Sequence, residues 1–257
     1  MQALTRTHFN SSSLMRVLAD LELAGTAAAG SAFAEKLGLW VSFTDAIALS
    51  AVHSQTPALA QSAPATARKR LAAPAAIADE VTKTRAGLVN LITRRGTLAG
   101  GKAHIQLPES PDTATVGAAA YEPYRRFYTA HQREMEASLG PLRSRVRAVL
   151  ASLSPALQQL AALDAALDSI LSERESKLLT KVASLLQKRF MHLLRTHQQA
   201  LQTSGQADAP ALWTKDGAWL ARFCHELQTV LLAELDLRLQ PTLGLLEAYQ
   251  FETKQSI

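Results

Sequence analysis

The stretch SPALQQLAALDAALDSILSERESKLLTKVASLLQKRFMHLLRTHQQALQTSG, residues 154–205, decides the fold. It opens on Ser154, a residue type that caps helices, and Pro155, whose fixed φ suits the first helical position. No further Pro and no Gly follow until Gly205. Leu157, Leu160, Leu163, Leu167, Ile170 and Leu171, then Leu178, Val182, Leu185, Leu186, Phe190, Leu193 and Leu194, recur every three or four positions. At 3.6 residues per turn that spacing gathers them on one side of a helix. The predicted helix is far longer than an ordinary globular one and has more apolar positions than a lone helix can cover. It is therefore a bundle spine or a coiled-coil partner surface.

On either side the pattern stays helical. Tyr121 to Leu153 reads as one helix, with Gly140-Pro141 as the place for a kink, and a further helix runs from about Asp216 to Gln240 with a short one after Pro241. Near the N-terminus, Leu14, Val17, Leu18 and Leu21 share a helical face after Asn10 or Ser11 and before Gly25. Ser31 caps a second predicted helix carrying Phe33, Leu37, Trp40, Val41 and Ile47. From about Ser54 to Ala78 the chain is built of Ala, Pro, Gln, Ser and Thr around Arg68-Lys69-Arg70, a composition that reads as a linker. A short helix with Val81, Leu88, Leu91 and Ile92 follows, interrupted by Gly87, then a loop from Gly96 to about Gly117. The expected organisation is all-α: a small N-terminal helical pair over 1–53, a disordered basic connector with one short helix over 54–117, and a bundle of long helices over 118–257. Poverty in β-branched and aromatic residues argues against a sheet.

The formal charge is +5, and it is unevenly spread. Up to Ser54, Asp20, Glu22, Glu35 and Asp45 slightly outnumber Arg6, Arg16 and Lys36. From Arg68 to Lys102, the cations Arg68, Lys69, Arg70, Lys83, Arg85, Arg94, Arg95 and Lys102 meet only Asp79 and Glu80. Such a basic segment suits a polyanion. The single cysteine, Cys224, excludes an intramolecular disulfide and fits a reducing, cytoplasmic setting. The N-terminal residues carry no apolar signal region, and charged residues interrupt every apolar run before a membrane span is reached.

No catalytic constellation assembles. Gly96-Thr-Leu-Ala-Gly-Gly-Lys102-Ala103 has the spacing of a phosphate-cradling loop, but Ala103 stands where a hydroxyl should hold magnesium, and no strand precedes it. His192 and His197 are five apart and do not share a helix face; Cys224, His225 and Glu226 are adjacent and diverge. No metal, cofactor or enzymatic role is expected. A stronger signal is Tyr121-Glu-Pro-Tyr124-Arg125-Arg126-Phe127-Tyr128, continued by His131, Arg133, Arg143, Arg145 and Arg147. Aromatic and arginine residues interleaved on a helix can stack on bases and contact phosphates. The tyrosines also lie at core spacing, and the arginines can equally pair with acids, so both readings stand. The nucleic-acid candidates are Arg68, Lys69, Arg70, Lys83, Arg85, Arg94, Arg95, Lys102, Arg125, Arg126, Tyr128 and Arg133.

Five stretches carry a family resemblance: Asn10-Ser-Ser-Ser-Leu-Met-Arg-Val-Leu-Ala-Asp20, Phe43-Thr-Asp-Ala-Ile-Ala-Leu-Ser50, Tyr124-Arg-Arg-Phe-Tyr-Thr-Ala-His-Gln-Arg-Glu-Met-Glu136, Leu160-Ala-Ala-Leu-Asp-Ala-Ala-Leu-Asp168 and Leu231-Leu-Ala-Glu-Leu-Asp-Leu-Arg-Leu-Gln-Pro241. In wording and order they resemble an uncharacterised bacterial domain family, the ZorF-like accessory proteins of type III Zorya anti-phage defence. The resemblance implies a second cytoplasmic accessory protein and a proton-driven membrane motor as partners, and it carries over no catalytic residue. Two functions follow as expectations: an accessory subunit that binds DNA without sequence preference and assembles with those partners or with itself, or a purely structural helical adaptor.

Overall fold

A computed structural model describes residues 13–21, 42–54, 67–93, 107–108, 117–205 and 207–255. Among them the regular structure is entirely helical: α1 (Ser13–Asp20), α2 (Phe43–Ser54), α3 (Ala67–Thr93), α4 (Glu122–Ala151), α5 (Pro155–Ser204) and α6 (Trp219–Gln255), with 3₁₀ turns at Gly117–Tyr121 and Pro210–Leu212. The all-α expectation holds.

Helix limits follow local chemistry. At the start of α5 the Ser154 hydroxyl accepts a bond from the Leu157 amide at 3.2 Å, satisfying one of the orphan donors of the first turn. After 50 residues α5 ends at Gly205, whose φ of 66° is the left-handed conformation that glycine adopts without a Cβ clash. Ser42 and Asp45 cap α2 reciprocally: the Ser42 hydroxyl accepts from the Asp45 amide at 3.1 Å, and the Asp45 carboxylate accepts from the Ser42 amide at 2.9 Å. Those bonds hold the Asp45 carboxyl below the usual carboxylate range.

Two expectations need correction. The connector was expected to stay unstructured to Ala78, yet α3 starts at Ala67 and runs unbroken through Gly87 to Thr93, so Arg68, Lys69 and Arg70 are helical. Its Ala-rich start has high helix propensity, and Ile77, Val81, Leu88 and Ile92 supply a buried stripe that one glycine does not outweigh. Pro141 and Pro241 lie inside α4 and α6; no separate helix begins after Pro241. Flanking buried residues Leu139, Leu142, Leu239, Thr242 and Leu245 hold the helices across the hydrogen bond that each proline removes. The expected helix capped by Ser31 falls, up to Val41, outside the described residues, as do residues 55–66 of the connector and the phosphate-loop-like stretch from Gly96 to Ala103.

The described residues fall into two compact units. The first gathers the described residues of Met1–Ala29, Val89–Glu134 and Leu178–Leu237; the second gathers those of Gly30–Leu88, Met135–Lys177 and Arg238–Ile257. Helices α1 and α2, read as a pair, thus belong to different units, and α3 to α6 each contribute a segment to both. From Tyr121 in the 3₁₀ turn on through α4, the buried positions Tyr121, Tyr124, Tyr128, His131, Met135, Leu139, Leu142, Val146 and Leu150 keep a three-or-four spacing.

In the first unit the core is aromatic. Tyr121, Tyr124, Phe190 and Phe223 have ring centroids 5.0–6.2 Å apart, the range of favourable edge and tilted contacts. The Tyr121 hydroxyl finds a partner by donating to the Ala183 carbonyl at 2.7 Å. In the second unit the core is aliphatic, with Ile77, Val81, Leu88, Leu142, Val146, Leu150, Leu157, Leu239 and Leu245 buried. Each such side chain contributes about 1.5–3 kcal/mol through removal from water.

Candidate functional site

The sequence points to cations and aromatics on α4, and the structure separates the two. Arg125 and Arg126 are exposed but share one carboxylate: Glu122 accepts from Arg125 Nε at 2.8 Å and from Arg126 Nε at 3.3 Å. The Arg125 hydrogen bond in particular draws the Glu122 carboxyl below its usual range. Arg133 lies exposed further along the helix. Arg143 and Arg147 both reach Asp164 and Asp168 on α5 at 2.6–3.1 Å, a half-buried lattice of two cations and two anions, while Arg145 pairs with Glu80 of α3. Most α4 arginines therefore have their charge matched by acids of the chain itself.

On α3, Lys83 and Arg85 are exposed. Arg68, Lys69 and Arg70 sit in the first turns of the same helix, and their side chains lie outside the described residues, as do Arg94, Arg95 and Lys102.

Of the two readings of Tyr128, core packing and base stacking, its burial agrees with the first. Tyr121, Tyr124 and Tyr128 are each at most 1% exposed, so no ring face is open to a base. The Tyr128 hydroxyl donates to the Glu234 carboxylate, a buried acid of α6 that also accepts from Gln132 Nε2 at 3.1 Å. Gln132 further approaches the Leu179 carbonyl at 3.2 Å, so one amide group ties α4 to both α5 and α6. Sequence reading overlooked this network. Its signal was present: Glu234 falls among Val230, Leu231, Leu235 and Leu239, where an acid on an apolar stripe implies a buried partner.

A second buried charge system was also missed. Arg189, in the apolar run of α5, donates to Glu226 through Nε and Nη2 at 2.8 and 2.7 Å, and Arg222 adds a third bond at 2.9 Å. Burial alone would raise the Glu226 carboxyl, but the two guanidinium groups outweigh it and hold the group below its usual range. Cys224 is buried beside it and His225 points outward, so these adjacent residues do diverge. Near the end of α5, Asp208 accepts from Trp213 Nε1 at 2.8 Å and lies 3.2 Å from His197 Nε2, while the His197 and Trp219 rings stack at 5.9 Å. Among the described residues no cluster of histidine, cysteine and carboxylate side chains has a metal-binding arrangement.

Several large apolar side chains are also exposed. Phe43 is 82% exposed and Ile47 54% on α2, and Phe251 is 64% exposed near the end of α6; Leu167, Leu178, Leu212 and Leu243 are exposed to lesser degrees. Apolar side chains exposed one at a time are ordinary, whereas neighbouring ones on one helix, as Phe43 and Ile47 on α2, are positions that a contact could cover. No described helix is long and apolar enough to cross a membrane.

Fold and surface together define an all-helical protein of long helices with internally matched arginines and uncovered apolar positions. The chain belongs to the family described as Protein of unknown function (DUF3348), whose profile matches residues 1–251. Neither a curated protein nor a solved structure matches it.

Proposed function

We propose that this protein is a helical adaptor that works by binding other macromolecules through its uncovered apolar helix faces. One contrast carries the reading: Arg125, Arg126, Arg143, Arg145 and Arg147 are matched by Glu122, Asp164, Asp168 and Glu80, whereas Phe43, Ile47 and Phe251 are more than half exposed. A polyanion gains little from a cation already paired, while an exposed phenyl ring gains from any apolar partner. The resemblance to type III Zorya accessory proteins supplies the partners to try: a second cytoplasmic accessory protein and the cytoplasmic part of a proton-driven motor.

A second reading is non-specific DNA binding by α3. It is favoured by exposed Lys83 and Arg85 on the helix that also carries Arg68, Lys69 and Arg70. Titration of purified full-length protein against DNA at several salt concentrations separates the two. The adaptor reading expects weak binding with a shallow salt slope; phosphate neutralisation by α3 would make log affinity fall by nearly one unit per log unit of salt for each contact. Co-purification with each candidate partner, before and after Phe251→Glu, tests the adaptor reading itself. A stable complex weakened by the substitution is the expected result.

A further inference from the structure

From Ser176 to Ala207 the chain has no Asp or Glu, while Lys177, Lys181, Lys188, Arg189 and Arg195 all fall in that stretch. Two of these cations are matched, Lys177 by Glu173 and Arg189 by the buried Glu226. Lys181, Lys188 and Arg195 are exposed, and among the described residues no carboxylate pairs with them; Arg195 Nε donates to the Met191 carbonyl one turn back. They follow one another at seven-residue intervals, close to two helical turns, and so form a line about 21 Å long on α5. Leu178, Leu185 and His192 each stand three residues before one of them and flank that line. Leu178 is 43% exposed, Leu185 half-buried and His192 exposed. The inner side of the same segment is buried through Val182, Leu186, Phe190 and Leu193. The outer ridge thus steps by three and four residues from Leu178 to Arg195, with a cation at every second position.

We propose that this ridge, which lies within the first unit, docks an acidic amphipathic helix of a partner protein, with carboxylates at seven-residue intervals and apolar residues between them. The proposal rests on the adaptor reading and adds the chemistry of the partner. Charge complementarity selects an anion, since three cations in a row have no acid of the chain to meet. The spacing selects a helix. Steps of three and four residues are those at which one helix packs along another, and charges beside such a seam repeat every seven. A second copy of this chain does not fit, because nowhere in the sequence do three acids follow at that interval. Asp168 and Glu175 are the one pair so spaced, and Asp168 already accepts from Arg143 and Arg147. Nucleic acid fits less well, because Leu178 and Leu185 gain nothing against phosphates. Exposed ion pairs are individually weak, so the cations chiefly set the orientation and rate of docking while the leucines are covered.

The test measures fluorescence anisotropy of a labelled helical probe peptide on the full-length protein. The probe is Ala-rich, with Glu at three positions seven apart and Leu between them; a control peptide of the same composition has its acids scattered round the helix. The matched probe should bind roughly tenfold more tightly than the scattered one. Lys181→Glu with Lys188→Glu should remove that preference, whereas Lys215→Glu with Lys254→Glu, the same change of net charge at exposed positions outside α5, should keep it. A probe with Lys in place of Glu should bind the reversed α5 variant, which a misfolded protein would not do. Equal affinity for the two peptides, or equal loss in both variants, overturns the proposal. A 20-base-pair DNA duplex that binds more tightly than the probe, and is lost with Lys181 and Lys188, overturns it in favour of nucleic acid. No probe binding by a protein that still forms a Phe251-dependent complex overturns the ridge and leaves the adaptor reading in place. Matched-probe binding without any Phe251-dependent complex supports the ridge and removes Phe251 from that reading.

Discussion

Tyr128 and Glu234 share a hydrogen bond although neither side chain has measurable contact with solvent, which joins α4 to α6 at the centre of the first unit. Tyr128→Phe removes the donor and leaves the carboxylate with Gln132. The expected loss is about 1–3 kcal/mol of stability. Tyr128→Ala also opens a cavity and should cost about 3–5 kcal/mol. Chemical denaturation followed by circular dichroism measures both; an unchanged midpoint for Tyr128→Phe would show that the bond contributes nothing.

Arg189→Met strands the Glu226 carboxylate in the core with only Arg222, whose side chain is 62% exposed. We expect a loss of about 3–5 kcal/mol. Arg222→Ala should cost under about 1 kcal/mol. The double variant Arg189→Met with Glu226→Leu should recover much of the loss, since it removes both buried charges. If the two single losses simply add in the double variant, the residues are not coupled.

His131 sets an acid limit. It is 1% exposed, packed edge-on against Phe127 at 4.5 Å, and burial pushes its imidazole down to about 4. A depressed folded-state value means that the unfolded chain binds the proton first. The stability linked to neutral His131 is full above about 6.5, the ordinary histidine value, and is lost as pH falls toward 4. His131→Gln should flatten the stability profile across that window. A profile with the same slope in wild type and variant would remove His131 as the cause.

The arginine lattice on α4 predicts a distinction between structural and surface cations. Arg143→Ala leaves Asp164 and Asp168 with Arg147 alone and should lower stability by about 1–3 kcal/mol without changing DNA affinity. Lys83→Ala with Arg85→Ala should leave stability within about 0.5 kcal/mol, because both positions are exposed. Any DNA affinity should respond to that pair and not to Arg143. Urea denaturation and fluorescence anisotropy on the same samples check this.

Periodicity made the long helices legible. The run from Leu157 to Leu194 marked α5, and Ser154 and Gly205 marked its ends, because capping and left-handed backbone depend on local residue chemistry. The division into two units was not legible. An apolar stripe such as that of α4 says that one side is covered, but it does not say by which segment, and α1 and α2 are close in sequence yet belong to different units. Composition misled at Ala67–Ala78, where alanines that dilute a core also favour helix. On the candidate surface, the tyrosine spacing correctly allowed for burial, whereas the pairing of Arg143 and Arg147 with Asp164 and Asp168 depends on helix register that a single sequence does not reveal.

The central claim, that uncovered apolar helix faces and not arginines are the working surface, is tested most directly by light scattering on full-length protein mixed with each candidate partner, with Phe251→Glu and Lys83→Ala/Arg85→Ala measured in parallel. The account predicts a stable complex with at least one partner that Phe251→Glu weakens roughly tenfold or more and the α3 substitutions leave unchanged. No complex with any partner, together with DNA binding that falls steeply with salt and is lost with Lys83 and Arg85, would contradict it.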